Sequence, residues 1–374
     1  MQDDKIIKVA HITLSMATGG IEKLILNLCQ RTNYKEFSPA VVCLDYGGEL
    51  VASLHHNNIP CFIFKRRAGF DWRLILCLVR LFRDEQFDII HSHNQASLFY
   101  AGIAAKIARC PVLLVTEHSR HHIDLKFFRR VEKRVLSLFT NKWVTVNDEL
   151  AHLSKKREGI ASNKIKVVPN GIDIVQFKGG AESRRDELRS AYGIMPSEKV
   201  LIMVARLNYI KNHSMLIDSL KFLERSHGSL KVLLVGDGEC REEISQKICN
   251  NGLEHNVLLL GTQDNIPEIL SISDVFVLCS LSEGLPLSLL EASAAGVPIV
   301  IADTANRAGF ISHKKNGIIV ENTPEDLANG IRYCLDNESD VNRMASVARE
   351  QVVHDFSLRS TIACYEDIYQ ELLD

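Results

Sequence analysis

Twelve short runs of largely apolar, often β-branched residues constrain this chain more than any other feature of its sequence. Seven fall in the first half, at residues 6–13, 40–44, 61–64, 88–92, 111–116, 142–146 and 165–168. Five follow at 199–205, 231–235, 257–261, 274–279 and 298–302. Amphipathic helical patterns, such as 21–31, 72–85 and 150–158, stand between them. A strand that is apolar on both faces must be covered on both, and covering helices impose parallel pairing. Two such sets predict an α/β chain of two doubly wound, Rossmann-like domains. The seam is expected near 171–185, where Gly179 and Gly180 break any periodicity and a charged stretch at 183–189 opens a new helix. Two helices, 341–356 and 357–373, close the chain with no strand after them.

Composition narrows the class. With 374 residues, 46% hydrophobic and 24% charged, the chain is neither disordered nor fibrous. Ten cysteines are scattered without a C-x-x-C pair and read as small buried hydrophobes in a reducing compartment. The first residues lack a basic lead and apolar core, and no run approaches the ~18 apolar residues of a membrane span. A cytoplasmic location follows as the expectation. Net charge is -2, but residues 1–175 carry 25 Lys+Arg against 17 Asp+Glu, and the remainder 19 against 29. The first half is therefore suited to an anionic partner.

Ligands of open α/β sheets bind at the carboxyl ends of the strands, so two facing domains would place a site in the cleft between them. After the first strand, Ser15-Met16-Ala17-Thr18-Gly19-Gly20 leads into a helix, an arrangement that allows backbone N–H groups to approach an anion. It serves equally as a tight turn, and neither the dinucleotide fingerprint nor the P-loop signature is present. Histidines gather after the fourth and fifth strands: His91, His93, His118, His121 and His122. No cysteine or carboxylate falls at a recognised zinc spacing among them, so no metal is assigned. His118, just past a strand, is best placed to touch substrate.

In the second half, Arg206 and Lys211 share one strand-to-helix loop, and such a pair can clamp a diphosphate. Gly236-Asp237-Gly238 reads as a turn. The strongest local constellation runs from Ser282 to Ala292. There Gly284 permits close backbone approach, Pro286 suits a first helical turn, and the helix N-terminus favours phosphate. Glu291, inside an apolar run, needs donors that ribose hydroxyls would supply. Glu283 and Glu291 are a poor hydrolytic dyad, because eight helical residues rise about 12 Å whereas glycosidase carboxylates sit roughly 5–9.5 Å apart.

With their surroundings, Glu283 and Glu291 form an E-x7-E motif that resembles the retaining glycosyltransferases of family 4, which have the GT-B fold. Gly19-Gly20-Ile21-Glu22 is similar to that family's glycine loop, and Thr116-Glu117-His118 to its sugar-contacting histidine segment. Val168-Pro169-Asn170-Gly171-Ile172-Asp173 resembles its inter-domain element, and Val204-Ala205-Arg206-Leu207 with Lys211 its phosphate-binding pair. The series spans nearly the whole chain. Two segments depart from it: Thr304–Gly309 replaces a Gly-Gly pair followed by Glu, and Asn147-Asp148 stands where a Ser is common.

The resemblance implies a metal-independent hexosyltransferase that moves a sugar from a UDP- or GDP-sugar to a glycan or lipid-linked acceptor with retention, in surface polysaccharide synthesis. No cofactor beyond the donor is implied. Arg206 and Lys211 would neutralise the departing diphosphate, assisted by Gly284, Leu285, Pro286 and Leu287. Glu283 would hold the transferred sugar, Glu291 the ribose, and His118 the sugar or acceptor, while Gly19 and Gly20 would line the donor site. The last helix would return to the first domain, giving an acceptor-side domain of 1–175 plus 357–374 and a donor domain of 176–356.

Lys65-Arg66-Arg67 and the basic, apolar stretch 126–136 suggest a peripheral contact with an anionic membrane surface; a helix packing its apolar stripe on the sheet explains the stretch equally well. The rivals are a GT-B epimerase or hydrolase, which turns over donor without acceptor, and a binding subunit with no turnover. A Rossmann oxidoreductase lacks its glycine fingerprint here, and a pI near 6.7 with no recognised motif disfavours nucleic acid.

Overall fold

The computed structural model describes residues 5–118, 127–177, 184–223 and 230–374. His121, His122, Lys126, Gly179, Gly180 and Ser183 lie outside the described residues, as do the side chains of Phe127, Phe128 and Arg129. The chain forms two compact units, Met1–Gly171 with Leu358–Asp374, and Ile172–Ser357.

The first unit is built on seven strands: β1 Ile7–Thr13, β2 Phe37–Cys43, β3 Cys61–Ile63, β4 Ile89–Ser92, β5 Val112–Glu117, β6 Lys142–Thr145 and β7 Ile165–Val167. Their order is β3-β2-β1-β4-β5-β6-β7, every pairing parallel. The second unit has six: β8 Lys199–Val204, β9 Leu230–Val235, β10 Val257–Gly261, β11 Val275–Leu278, β12 Ile299–Ala302 and β13 Ile318–Val320, ordered β10-β9-β8-β11-β12-β13 and again all parallel. In both sheets the order reverses beside the first strand, the switch point where ligands of this architecture bind. The edge strand β13 was not among the expected runs; it is held in the sheet by its pairing with β12.

Apolar burial explains the layering. On one face of the first sheet Ala10, Ile12, Val42, Ile90 and Val115 pack with the helices Trp72–Glu85 and Gln95–Ala108. On the other, Val9, Val112 and Val144 meet Leu358, Ile362, Tyr365, Ile368 and Tyr369 of the last helix, Leu358–Glu371. Apolar positions at three- and four-residue spacing make that stripe continuous, which ties the end of the chain to its beginning. Helix starts are fixed by side-chain caps: the Asp71 carboxylate accepts from Arg73 N and Leu74 N, and Asn147 Oδ1 from Leu150 N at 2.8 Å. Asn147 thus has a structural task where the resemblance showed a departure.

Candidate active site

In the second unit, two loops at the carboxyl end of the sheet are tied together by Leu281 N donating to Ile210 O at 2.8 Å. The first holds Lys211 in a 3-10 turn, Tyr209–Lys211, whose start is capped by Asn208 Oδ1 accepting from Lys211 N. Lys211 Nζ donates to Glu283 Oε1 at 2.5 Å, with the two side chains 23% and 9% exposed. Arg206 does not join them. It is 69% exposed and its Nη2 lies 3.4 Å from Glu239, a surface pair worth little to stability. The clamp read from sequence is therefore half assembled, with the lysine seated on the glutamate and the arginine outside.

Gly284 and Leu285 are buried, and Pro286 occupies the N-cap of helix Leu287–Ala294 with extended backbone, not its first turn. No side chain among the described residues caps this helix. Its leading N–H groups and positive dipole end are thus available to an anion next to Lys211 and Glu283. Glu291 is half-buried and lies one turn into the helix. His213, beside Lys211, is buried with no partner for either ring nitrogen among the described residues; burial, and then Lys211, lower it to about 4, so it is neutral near pH 7.

The turn Gly236-Asp237-Gly238 does more than the sequence suggested. Gly236 has φ +136, and a Cβ there would sit 2.2 Å from Ala205 O; one at Gly238 would sit 2.4 Å from Leu207 O. Leu207 N donates to Asp237 O and Cys240 N to Leu207 O, so this turn is the floor of the Arg206 loop. A glycine pair is the only sequence signal of such a contact, and it is shared with every tight turn. In the divergent segment, Asn306 closes its own loop through Ile311 and Thr304 Oγ1 donates to Ser280 O, which keeps it against β11. A cavity of about 590 Å³ opens at the opposite, amino end of this sheet, but its Arg185 is already engaged by Asp274 and Ser271 O.

In the first unit, Gly19 is the N-cap of helix Gly20–Arg31 with ordinary extended backbone, and a Cβ there would meet the Glu22 carboxylate at 2.3 Å. The loop before it is held by Gly48, missed in the sequence, whose φ of +119 and 2.3 Å approach to Ala17 N admit no side chain.

The histidines converge. His11 on β1 is in register with His91 on β4, and His93 and His118 follow β4 and β5. His11 Nδ1 lies 2.9 Å from His93 Nε2, and His93 Nδ1 lies 3.3 Å from His118 Nε2. His91 is held separately, by Tyr369 OH at 2.7 Å and Thr116 Oγ1 at 2.8 Å, the latter bonded to Tyr365 OH. Nitrogens of His11, His91 and His93 fall within 4.8 Å of one another, close enough to chelate, yet His11 and His93 bond to each other and His91 to Tyr369 and Thr116, and no metal is assigned. Burial holds all four rings neutral: His11 and His118 are lowered to about 4, His91 and His93 well below their usual value. His11 escaped the sequence reading because it sits inside an apolar strand, where a lone histidine reads as core. Next to His118, Glu117 is buried with Lys133 Nζ at 2.6 Å, and Trp143 Nε1 and Ser154 Oγ donate to it, fixing the end of β5.

Comparison with known proteins identifies the family. Residues 18–176 match the family described as Glycosyltransferase Family 4, and residues 184–351 that described as Glycosyl transferases group 1. The chain is 26% identical to the Escherichia coli UDP-Gal:alpha-D-GlcNAc-diphosphoundecaprenol alpha-1,3-galactosyltransferase, over 98% of this chain and 97% of that one. It is 34% identical to the Bacillus anthracis N-acetyl-alpha-D-glucosaminyl L-malate synthase, over 59% and 58% of the two chains. Its fold matches Anabaena HepE, solved with UDP and glucose, at a TM-score of 0.85, 22% identity and coverage of 97% and 99%. With both halves matched and two parallel α/β units in place, the chain belongs to the family 4-type glycosyltransferases of GT-B fold.

Proposed function

We propose that the protein transfers a hexose from a nucleotide-sugar donor to a glycan or lipid-linked acceptor, with retention of configuration and without a metal. The observation that carries this reading is Lys211 seated on Glu283 beside the uncapped start of helix Leu287–Ala294. A diphosphate fits that place: the helix N–H groups and the Lys211 ammonium meet its charge, and Arg206 needs only to leave a weak surface pair to join them. Charge developing on the leaving diphosphate is then met by groups already oriented for it. Glu283 accepts from hydroxyls of the transferred sugar, and Glu291 from the ribose.

Uridine diphosphate is the first nucleotide to test, because the E. coli relative is named for UDP-Gal and HepE was solved with UDP. The same relative, named for GlcNAc-diphosphoundecaprenol, suggests a lipid-linked acceptor and a role in surface polysaccharide synthesis. Incubation with labelled UDP-galactose and that lipid acceptor in EDTA should give labelled lipid with an α linkage. Free sugar or an epimerised donor would favour a hydrolase or epimerase, and binding without turnover a binding subunit.

Helix Phe127–Phe139 supports a peripheral membrane contact for that acceptor. No described helix is long and apolar enough to cross a membrane. On this one Val131, Val135 and Leu138 are exposed at 44%, 47% and 71%, with Arg134 also exposed, while Lys133 is buried in its pair with Glu117 and Glu158. The apolar stripe therefore faces outward and one expected basic residue faces inward. Such an outward stripe suits an anionic lipid surface.

A further inference from the structure

The outward side of helix Trp72–Glu85 and the loop before it carry large apolar groups that the fold leaves uncovered. Phe70, Trp72 and Leu76 are exposed at 64%, 57% and 55%. Trp72 and Leu76 stand one helical turn apart, with Arg73 and Arg80 exposed on the same side of the helix. The loop is held where it presents them. Tyr100 OH donates to Gly69 O at 3.1 Å and accepts from Asp71 N at 3.3 Å. The Phe70 ring stacks on that of Tyr100 and meets that of Phe99 edge-on, contacts that fix it without covering it. The Arg73 guanidinium lies 5.6 Å from the Trp72 ring centroid.

The charges around this patch are basic. In the run Lys65-Arg66-Arg67, Arg66 turns to Asp45, with Nε and Nη2 donating at 2.6 and 2.9 Å, while Lys65 and Arg67 stay exposed. The nearby carboxylates are engaged: Asp45 by Arg66, Asp84 by Arg80 at 3.5 Å, and Asp71, 7% exposed, by the N–H groups of Arg67, Arg73 and Leu74. Exposed indole, phenyl and leucine groups set among cations match the boundary between anionic headgroups and acyl chains. Neighbouring helices extend the pattern. Helices Trp72–Glu85, Gln95–Ala108 and Phe127–Phe139 cover one face of the first sheet, and the second of them exposes Ile107 beside Lys106. An apolar, basic surface spread over three helices suits a plane of lipid rather than one small ligand.

We propose that Phe70, Trp72 and Leu76 enter the interface of a bilayer containing anionic lipid, with Lys65, Arg67 and Arg73 meeting its headgroups. That the protein meets a membrane at all rests on the reading above; which residues enter it is read from this patch alone. The strands of the first sheet are all parallel, so the loop after β3 lies at the same end as Gly19 after β1 and His118 after β5. Insertion at Trp72 turns that end toward the lipid, where a lipid-linked acceptor would present its sugar. Helix Phe127–Phe139 then joins as a second contact on the same face of the sheet.

Tryptophan fluorescence tests this, because the chain has two tryptophans and Trp143 is 1% exposed in the core, so an emission change on adding vesicles reports Trp72. Full-length protein at low salt is mixed with vesicles of equal parts phosphatidylglycerol and phosphatidylcholine, and sedimentation is followed in parallel. Emission should move to shorter wavelength and be quenched by lipids brominated along their acyl chains. Both changes should vanish in Trp72→Phe, which keeps an apolar ring for binding. Phe70→Ala, which keeps the tryptophan, should weaken vesicle binding about tenfold. Sedimentation with unchanged emission and no quenching overturns this face as the contact and leaves the membrane reading standing. No sedimentation with these vesicles overturns the membrane reading as well. A shift to shorter wavelength that grows with protein concentration in the absence of vesicles means that a second copy of the chain covers the patch, and it also overturns the proposal.

Discussion

Among single residues, the Lys211–Glu283 pair is the most exposed to test. Glu283 has a side chain only 9% accessible, and Lys211 is the cation hydrogen-bonded to it. Removing the lysine leaves a shielded carboxylate without its cation and takes one positive charge from the proposed diphosphate site. Lys211→Ala should lower kcat by about 10²–10³-fold, the usual loss when one preorganised donor is removed, with the fold retained. Arg206→Ala should cost less stability than Lys211→Ala, because its ion pair with Glu239 is a surface one, while still weakening donor binding. Equal activity of Lys211→Ala and the parent protein in a single-turnover assay would show that the lysine has no catalytic part. Gly236→Ala belongs to the same scale. It places a methyl 2.2 Å from Ala205 O at φ +136, so it should destabilise by about 1–3 kcal/mol and weaken UDP binding through the Arg206 loop; a melt with unchanged midpoint refutes that coupling.

At the scale of elements, the carboxyl ends of β1, β4 and β5 gather four neutral histidines. A ring that protonates at about 4 in the fold and near 6.5 in the unfolded chain lets the unfolded state bind protons first. Stability is therefore full above about pH 6.5 and falls as pH drops toward 4, by up to about 3 kcal/mol for each such ring. Among the described residues, four lowered rings lie in the first unit and His213 alone in the second, so the first should melt earlier in acid. Calorimetry between pH 4 and 7 should show one transition moving down steeply and another moving less; parallel movement would contradict the assignment. Elements were also where sequence reading served best. Helix Trp72–Glu85 coincides with its expected range and β10 does as well, because long amphipathic or fully apolar periodicity dominates local choice. β13 and the Asn147 cap were beyond that signal, the first because it is defined by its pairing with β12, the second because capping depends on geometry.

For the whole molecule, the sequence showed the two sheets and the residues of the second-unit site, but not their state. Nothing in the spacing of Arg206, Lys211 and Glu283 says that the lysine takes the glutamate and the arginine does not. The histidine series was half legible, since His91, His93 and His118 stand out by density whereas His11 is hidden within a strand. Charge asymmetry is a whole-chain property, and it meets structure at helix Phe127–Phe139. The protein should sediment with anionic vesicles at low salt, and Leu138→Glu, at a 71% exposed position on the outward stripe, should reduce that binding several-fold. Binding unchanged by Leu138→Glu would move the membrane contact elsewhere.

The central claim is that a nucleotide diphosphate binds the second unit at Lys211 and the helix Leu287–Ala294 without a metal. Isothermal titration of the full-length protein with UDP in EDTA tests it most directly, with GDP as the alternative base and Lys211→Ala as the control. Saturable one-site binding in EDTA that weakens at least tenfold in Lys211→Ala is the predicted result. Binding that appears only when a divalent cation is added, or that Lys211→Ala leaves unchanged, would contradict it.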